Sequence, residues 1–191
     1  MQYDRTVIAY HGCDALVAER LLAGEAFSPS ENDYDWLGHG IYFWEWGVDR
    51  AWRFAQVQKT RGKVQTPAVV GAVIQLGQCF DLMDTRFTHD LAAFFEDWKA
   101  ALAAAGRPHP QNKGGPPDWK GRYLDCAVIN AYLESMATTV GKSYDTVRCG
   151  FVEGEPVFEG AGFRMESHVQ LAVRNEDAIV GVFRPNLRRA T

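Results

Sequence analysis

Six short β-branched or alternating runs, interleaved with four helical stripes, constrain this chain more than any other feature. The strand-like runs are Thr6 to Tyr10, Ile41 to Phe43, Ala68 to Leu76, Thr146 to Val152, His168 to Val173 and Ile179 to Phe183. Such runs suit a pleated surface that is at least half buried. Asp14 can cap a helix that runs to Leu22 and stops at Gly24. Behind Gly47, the residues Val48, Ala51, Trp52 and Ala55 form an i, i+3, i+4, i+7 stripe. A third helix is expected from Leu91, Phe94, Phe95, Trp98 and Leu102 behind a Thr88 cap, and a fourth from Leu124, Ala127, Val128 and Ala131. Helices and strands intermixed in this order predict the α+β class.

With 191 residues, 47% of them hydrophobic, the chain can bury a proper core, and its length favours one domain over 1–191. Gly106 to Gly121 is dense in Gly, Pro, Asn and Lys and reads as a surface loop between the third and fourth helices. Glu153 to Gly162 is a second such loop between two strands. A formal net charge of −4 provides no global basic field for nucleic acid or an anionic membrane. Lys59, Arg61 and Lys63, and Arg184, Arg188 and Arg189, form local basic groups that read first as solvated surface. No apolar run approaches the roughly 18 residues of a spanning helix, so no membrane is expected as a partner. Cys13, Cys79, Cys126 and Cys149 lie far apart with no Cys-x-x-Cys pair. They read as reduced core thiols, with no metal site and with cytoplasm as the working compartment, in the chain's own cell or in a target cell.

Three constellations carry chemistry. Tyr10-His11-Gly12 ends the first strand: His11 can donate or accept at either ring nitrogen, and Gly12 would let a ligand approach the backbone. Gly38-His39-Gly40-Ile41-Tyr42-Phe43-Trp44-Glu45 places a glycine pair before a short aromatic strand, which suggests either a tight turn feeding a ring into a cleft or simple core packing. In Glu166-Ser167-His168-Val169-Gln170-Leu171-Ala172-Val173, period two sends Val169, Leu171 and Val173 to one face and Glu166, His168 and Gln170 to the other. That second face is either a wet sheet surface or a site.

Taken in order, Tyr-His-Gly, then Gly-x-Gly-Ile-Tyr-Phe, then Leu171 to Ile179 as an apolar strand and turn, resemble the ADP-ribosyltransferase domain of the poly(ADP-ribose) polymerase and diphtheria-toxin type. A narrower likeness, carried by Trp36-Leu37-Gly38 and Ser167-His168-Val169-Gln170, is to small bacterial toxin or phage-defence members. The resemblance implies a split β-sheet core, with Arg86 to Met136 as a helical insertion. It also implies NAD⁺ as substrate and a His11, Tyr42, Gln170 triad, with Gln170 standing where the family usually has Glu.

By that resemblance His11 would hold the adenosine ribose, the Gly12 backbone the nicotinamide amide, and Tyr42 would stack on the nicotinamide ring. Gly40, Trp44 and His168 would line the same NAD⁺ cleft. Gln170 keeps a hydrogen bond but cannot be a general base, so either the acceptor needs little activation or Glu166, His168 or Glu45 would supply the missing charge. The implied activity is transfer of one ADP-ribose from NAD⁺ to a protein or nucleic-acid acceptor, as a toxin, effector or defence enzyme. A neutralising antitoxin or immunity protein would be a natural partner. NAD⁺ glycohydrolysis, or a silent module that binds NAD⁺ or ADP-ribose, are the alternatives.

Overall fold

The computed structural model describes residues 3–115 and 120–187. Along the chain run β1 (Tyr3–Asp14), α1 (Ala15–Leu22), β2 (Ile41–Glu45), α2 (Val48–Thr60), β3 (Pro67–Gly77), β4 (Cys79–Asp81), α3 (Thr85–Ala104), α4 (Tyr123–Ser135), β5 (Thr146–Phe151), β6 (His168–Val173) and β7 (Ile179–Phe183). The α+β expectation holds, and each of the six expected strands is present. A seventh, β4, is three residues long, too short for any period to show in the sequence, and pairs in parallel with β5.

All seven strands form one sheet in the order β4-β5-β6-β2-β1-β3-β7. It is stitched unevenly. The β1/β3 ladder runs from Thr6↔Gln75 to Asp14↔Pro67, whereas β1 meets β2 only at Ala9↔Glu45 and Tyr10↔Trp44. Two half-sheets, β4-β5-β6-β2 and β1-β3-β7, thus share a narrow seam.

Both faces are covered. One face, carrying Val7, Ala9, Ile41, Phe43, Val70, Ile74, Leu171 and Val173, packs with α1 and Phe27. Asp14 caps α1 as expected, accepting from the Leu16 N–H at 3.0 Å. Its carboxylate also accepts from the Gln65 and Thr66 N–H groups at 2.7 and 3.0 Å, which ties the helix start to the approach to β3. The opposite face is divided between α2, around Trp44, Ala51 and Val69, and the α3/α4 pair, around Phe80, Ile129, Leu133, Val147 and Ala172.

Two expectations need correction. The α3 cap is Asp84, whose side chain accepts from the Arg86 N–H at 3.0 Å; Thr88 sits inside the first turn, its hydroxyl donating to the Thr85 carbonyl at 3.0 Å. A carboxylate at the true start outcompetes a hydroxyl one turn later as acceptor for free N–H groups. The wet-face alternative for β6 also fails, because β6 lies between β5 and β2 and α2, α3 and α4 cover the face that carries Gln170. The two helices expected between Arg86 and Met136 are present as α3 and α4. Asn112, from the loop between them, accepts from the Leu124 and Asp125 N–H groups at 2.8 and 3.3 Å, a cap that Arg122 does not supply. Part of that loop, and Arg188 and Arg189 of the C-terminal basic group, lie outside the described residues. Among the described residues no helix is long and apolar enough to cross a membrane.

Candidate functional site

The turn before β2 is built by its glycines. Gly38 has φ +74° and Gly40 φ +154°, and a Cβ on Gly40 would stand 2.8 Å from the Val173 carbonyl oxygen of β6. Asn130 of α4 accepts through Oδ1 from the His39 N–H at 3.0 Å, and Arg174 donates to the His39 carbonyl at 2.8 Å. The Tyr42 hydroxyl donates to the Gly38 carbonyl at 2.6 Å and accepts from the Leu37 N–H at 2.8 Å. Burial holds that phenol far above its ordinary pKa. Tyr42 therefore fastens the turn with its hydroxyl while its ring packs beside Ala172.

Register then assembles the patch. Tyr42 stands opposite Ala172 and Trp44 opposite Gln170, and across β6 Cys149 faces Gln170 while Phe151 faces His168. Directly opposed residues share a face, so Tyr42, Trp44, His168 and Gln170 lie on the same side. Of seven buried side-chain polar atoms that have no partner among the described residues, four belong here: Trp44 Nε1, Arg50 Nε, His168 Nε2 and Gln170 Oε1. Arg50, from α2, sits 5.9 Å over the Trp44 ring. The His168 Nδ1–H donates to the Glu166 carbonyl at 2.8 Å, which leaves Nε2 an acceptor. The patch thus offers two donors and two acceptors. Each orphaned buried group costs about 1–3 kcal/mol, so unpaired polarity is concentrated in this patch.

Charge gathers at its edge. Arg50 pairs with Glu153 at 2.8 Å and lies 3.9 Å from Glu166, which also meets Arg53 at 3.5 Å. Glu153 stands 3.5 Å from His168 Nδ1. Arg50 and Glu153 were not singled out in the sequence; the only pointer to them was the loop from Glu153. At the ends of β5 and β6 an open hollow of about 570 Å³ is lined by Met83, Gly150, Phe151, Val152, Ser167, His168 and Val169, of which Phe151 and His168 belong to the Gln170 face and Gly150 and Val169 to the other. Phe151 and Trp36 stack near the His168 ring, and Arg122 lies over both.

The other expected residues are placed differently. His11 and Tyr42 have side chains on opposite faces: the His11 ring, half-buried, lies against Phe27 and Phe43 on the side of the sheet that α1 covers. Its Nδ1–H donates to the Tyr42 carbonyl at 2.8 Å across the seam, so Nε2 is left as an acceptor, and burial lowers the ring's pKa. Gly12 is required for packing, because a Cβ there would strike the Ala51 carbonyl of α2. The Ile8 carbonyl accepts from the Trp46 N–H and Tyr10 pairs with Trp44. Strand alternation therefore turns the Gly12 N–H and C=O toward the β2 side just past the last shared pair.

Glu45 is already paired. It lies on the face opposite Gln170, gripped by Arg148 at 2.7 and 3.3 Å and by Arg5 at 3.2 Å, while Arg148 also holds Asp81 at 3.1 Å. Among the described residues no three His, Cys, Asp or Glu side chains group so as to hold a metal ion. All four cysteines are free, and three are buried.

The fold and patch define an α+β protein with an unsatisfied polar surface on its inner strands. Comparison with known proteins adds one short likeness. Over 45 residues the chain is 44% identical to an uncharacterized protein, MJ0359, of Methanocaldococcus jannaschii, a match covering 24% of this chain and 21% of that protein. No protein-family model matches the chain, and no solved structure matches it.

Proposed function

We propose that the chain is an NAD⁺-dependent mono-ADP-ribosyltransferase with the split-sheet architecture of that fold, binding NAD⁺ across the seam between its half-sheets. The observation that carries this reading is the cluster of orphaned atoms around Gln170. Two donors and two acceptors in one buried patch match a ligand that presents hydroxyls, a carboxamide and phosphates. At the seam, His11 Nε2 is an acceptor for a ribose hydroxyl, and the Gly12 main chain has the alternating donor and acceptor that a carboxamide needs.

In the reaction the bond between ribose C1′ and the nicotinamide nitrogen breaks, and its electron pair leaves with nicotinamide. Gln170 Oε1 accepts from a ribose hydroxyl and places partial negative charge beside the developing oxocarbenium. The acceptor, a protein or nucleic acid in a toxin, effector or defence setting, then attacks C1′. With water as acceptor the same steps give an NAD⁺ glycohydrolase.

The test is incubation with NAD⁺ labelled in its adenylate moiety and separated protein, RNA and DNA fractions. Nicotinamide release and label fixed in one fraction are expected. Release without fixed label selects the glycohydrolase, and binding without release selects the silent module. For Gln170→Ala, release should fall roughly 10²- to 10³-fold, as when one transition-state hydrogen bond is removed. A parental rate in that variant moves the third residue elsewhere, and Glu166 becomes the next to test.

A further inference from the structure

Gln170 carries no base, and the group that attacks C1′ must lose a proton. We propose that His168 takes that proton at Nε2, with Glu153 positioning the ring and holding its charged form. The inference rests on the reading above. Three observations converge on it. His168 lies two residues before Gln170 on the same face of β6, a spacing of about 6.6 Å along a strand. Its side chain is 5% exposed, and its Nε2 is buried without a partner in the protein. Donation from Nδ1 to the Glu166 carbonyl fixes the tautomer in which Nε2 bears the lone pair.

The step balances. As the bond to nicotinamide breaks, its electron pair neutralises the pyridinium; the acceptor's oxygen or nitrogen forms a new bond to C1′, and its proton passes to His168 Nε2. Glu153, 3.5 Å from Nδ1, stabilises the resulting imidazolium. The charged groups facing the ring are Glu153 from the loop after β5, Glu166 from the approach to β6 and Arg50 from α2, with Arg122 beyond the Trp36 and Phe151 rings. Burial is the largest influence on the ring and lowers its pKa. The Glu166 carbonyl opposes this, Arg50 lowers the pKa further, and the two carboxylates raise it. At neutral pH His168 is therefore unprotonated, the state a base requires.

The experiment follows nicotinamide release from NAD⁺ in buffer, with water as acceptor, from pH 5 to 9 for the parent, His168→Gln and Glu153→Gln, with NAD⁺ affinity measured by calorimetry. The parent should lose activity as pH falls below the ordinary His value of about 6.5. His168→Gln should lose that acid limb and about 10²- to 10⁴-fold in rate, more than its loss of NAD⁺ affinity accounts for. Glu153→Gln should retain a limb moved to lower pH, because the carboxylate that raises the ring's pKa is gone. An unchanged rate and limb in His168→Gln, or an unmoved limb in Glu153→Gln, overturns the inference alone. A parent that binds NAD⁺ but releases no nicotinamide overturns the underlying reading and this inference with it.

Discussion

Gln170 is 8% exposed and sits between Trp44 and Cys149 with its amide oxygen unpaired. Replacing a buried, unsatisfied polar group by an apolar one of similar shape is neutral or stabilising. Gln170→Leu should therefore stabilise the fold by about 1–2 kcal/mol, raising Tm by roughly 2–8 °C for a chain of this size, while abolishing nicotinamide release. Thermal unfolding read beside the activity assay checks both halves; a destabilised Gln170→Leu would mean that the amide is satisfied and structural. Tyr42 behaves in the opposite way. Tyr42→Phe strands the Leu37 N–H and the Gly38 carbonyl, so it should cost about 1–3 kcal/mol in urea unfolding, and it is no silent probe of the ring. A parental urea midpoint in Tyr42→Phe would show that the hydroxyl does not fasten the turn.

At the scale of elements, much was legible because each signal was local. Asp14 and Gly47 mark the starts of α1 and α2, and β6 and β7 fall on the runs from His168 and Ile179. What escaped depends on neighbours distant in sequence. That Gly12 must lack a side chain for α2 to pack on it is invisible in the sequence, and Glu45 looks like a free acid until Arg148 arrives from β5. Period two correctly grouped His168 with Gln170, but it carries no information on what covers that face. Asp14 yields a test at this scale. Its pKa is lowered chiefly by the Thr66 N–H, then by those of Leu16 and Gln65, so the native state favours the carboxylate. A lowered native pKa adds stability above the unfolded value of about 3.9 and loses it as pH falls through the native value. Urea midpoints for the parent and Asp14→Asn should therefore differ at neutral pH and converge on acidification below about pH 4. A gap that stays constant with pH would assign the cap's effect to something other than its charge.

For the molecule as a whole, the seam between β1 and β2 divides a sheet that is otherwise continuously laddered. Amides along β1 and β3 should exchange slowest with solvent, since that ladder is the longest, and those flanking the seam faster. On the proposed reading NAD⁺ should slow exchange at Gly12 and at Tyr42 more than along β7. Equal slowing at β7 would place the ligand elsewhere.

The strand order has a further consequence, for synthesis. Residues 41–45 form the seam edge of one half-sheet, yet the strand that pairs along their whole length, 168–173, is translated more than a hundred residues later. Until it emerges, a growing chain can close β1 on β3, but β2 has only two pairs to hold it and the two half-sheets cannot be joined. Any chemistry that needs Gln170 and His168 is therefore silent on the ribosome for most of translation. Formation of the site is tied to one of the last long-range pairings the chain makes, a slow kind of step because loop closure must precede its reward.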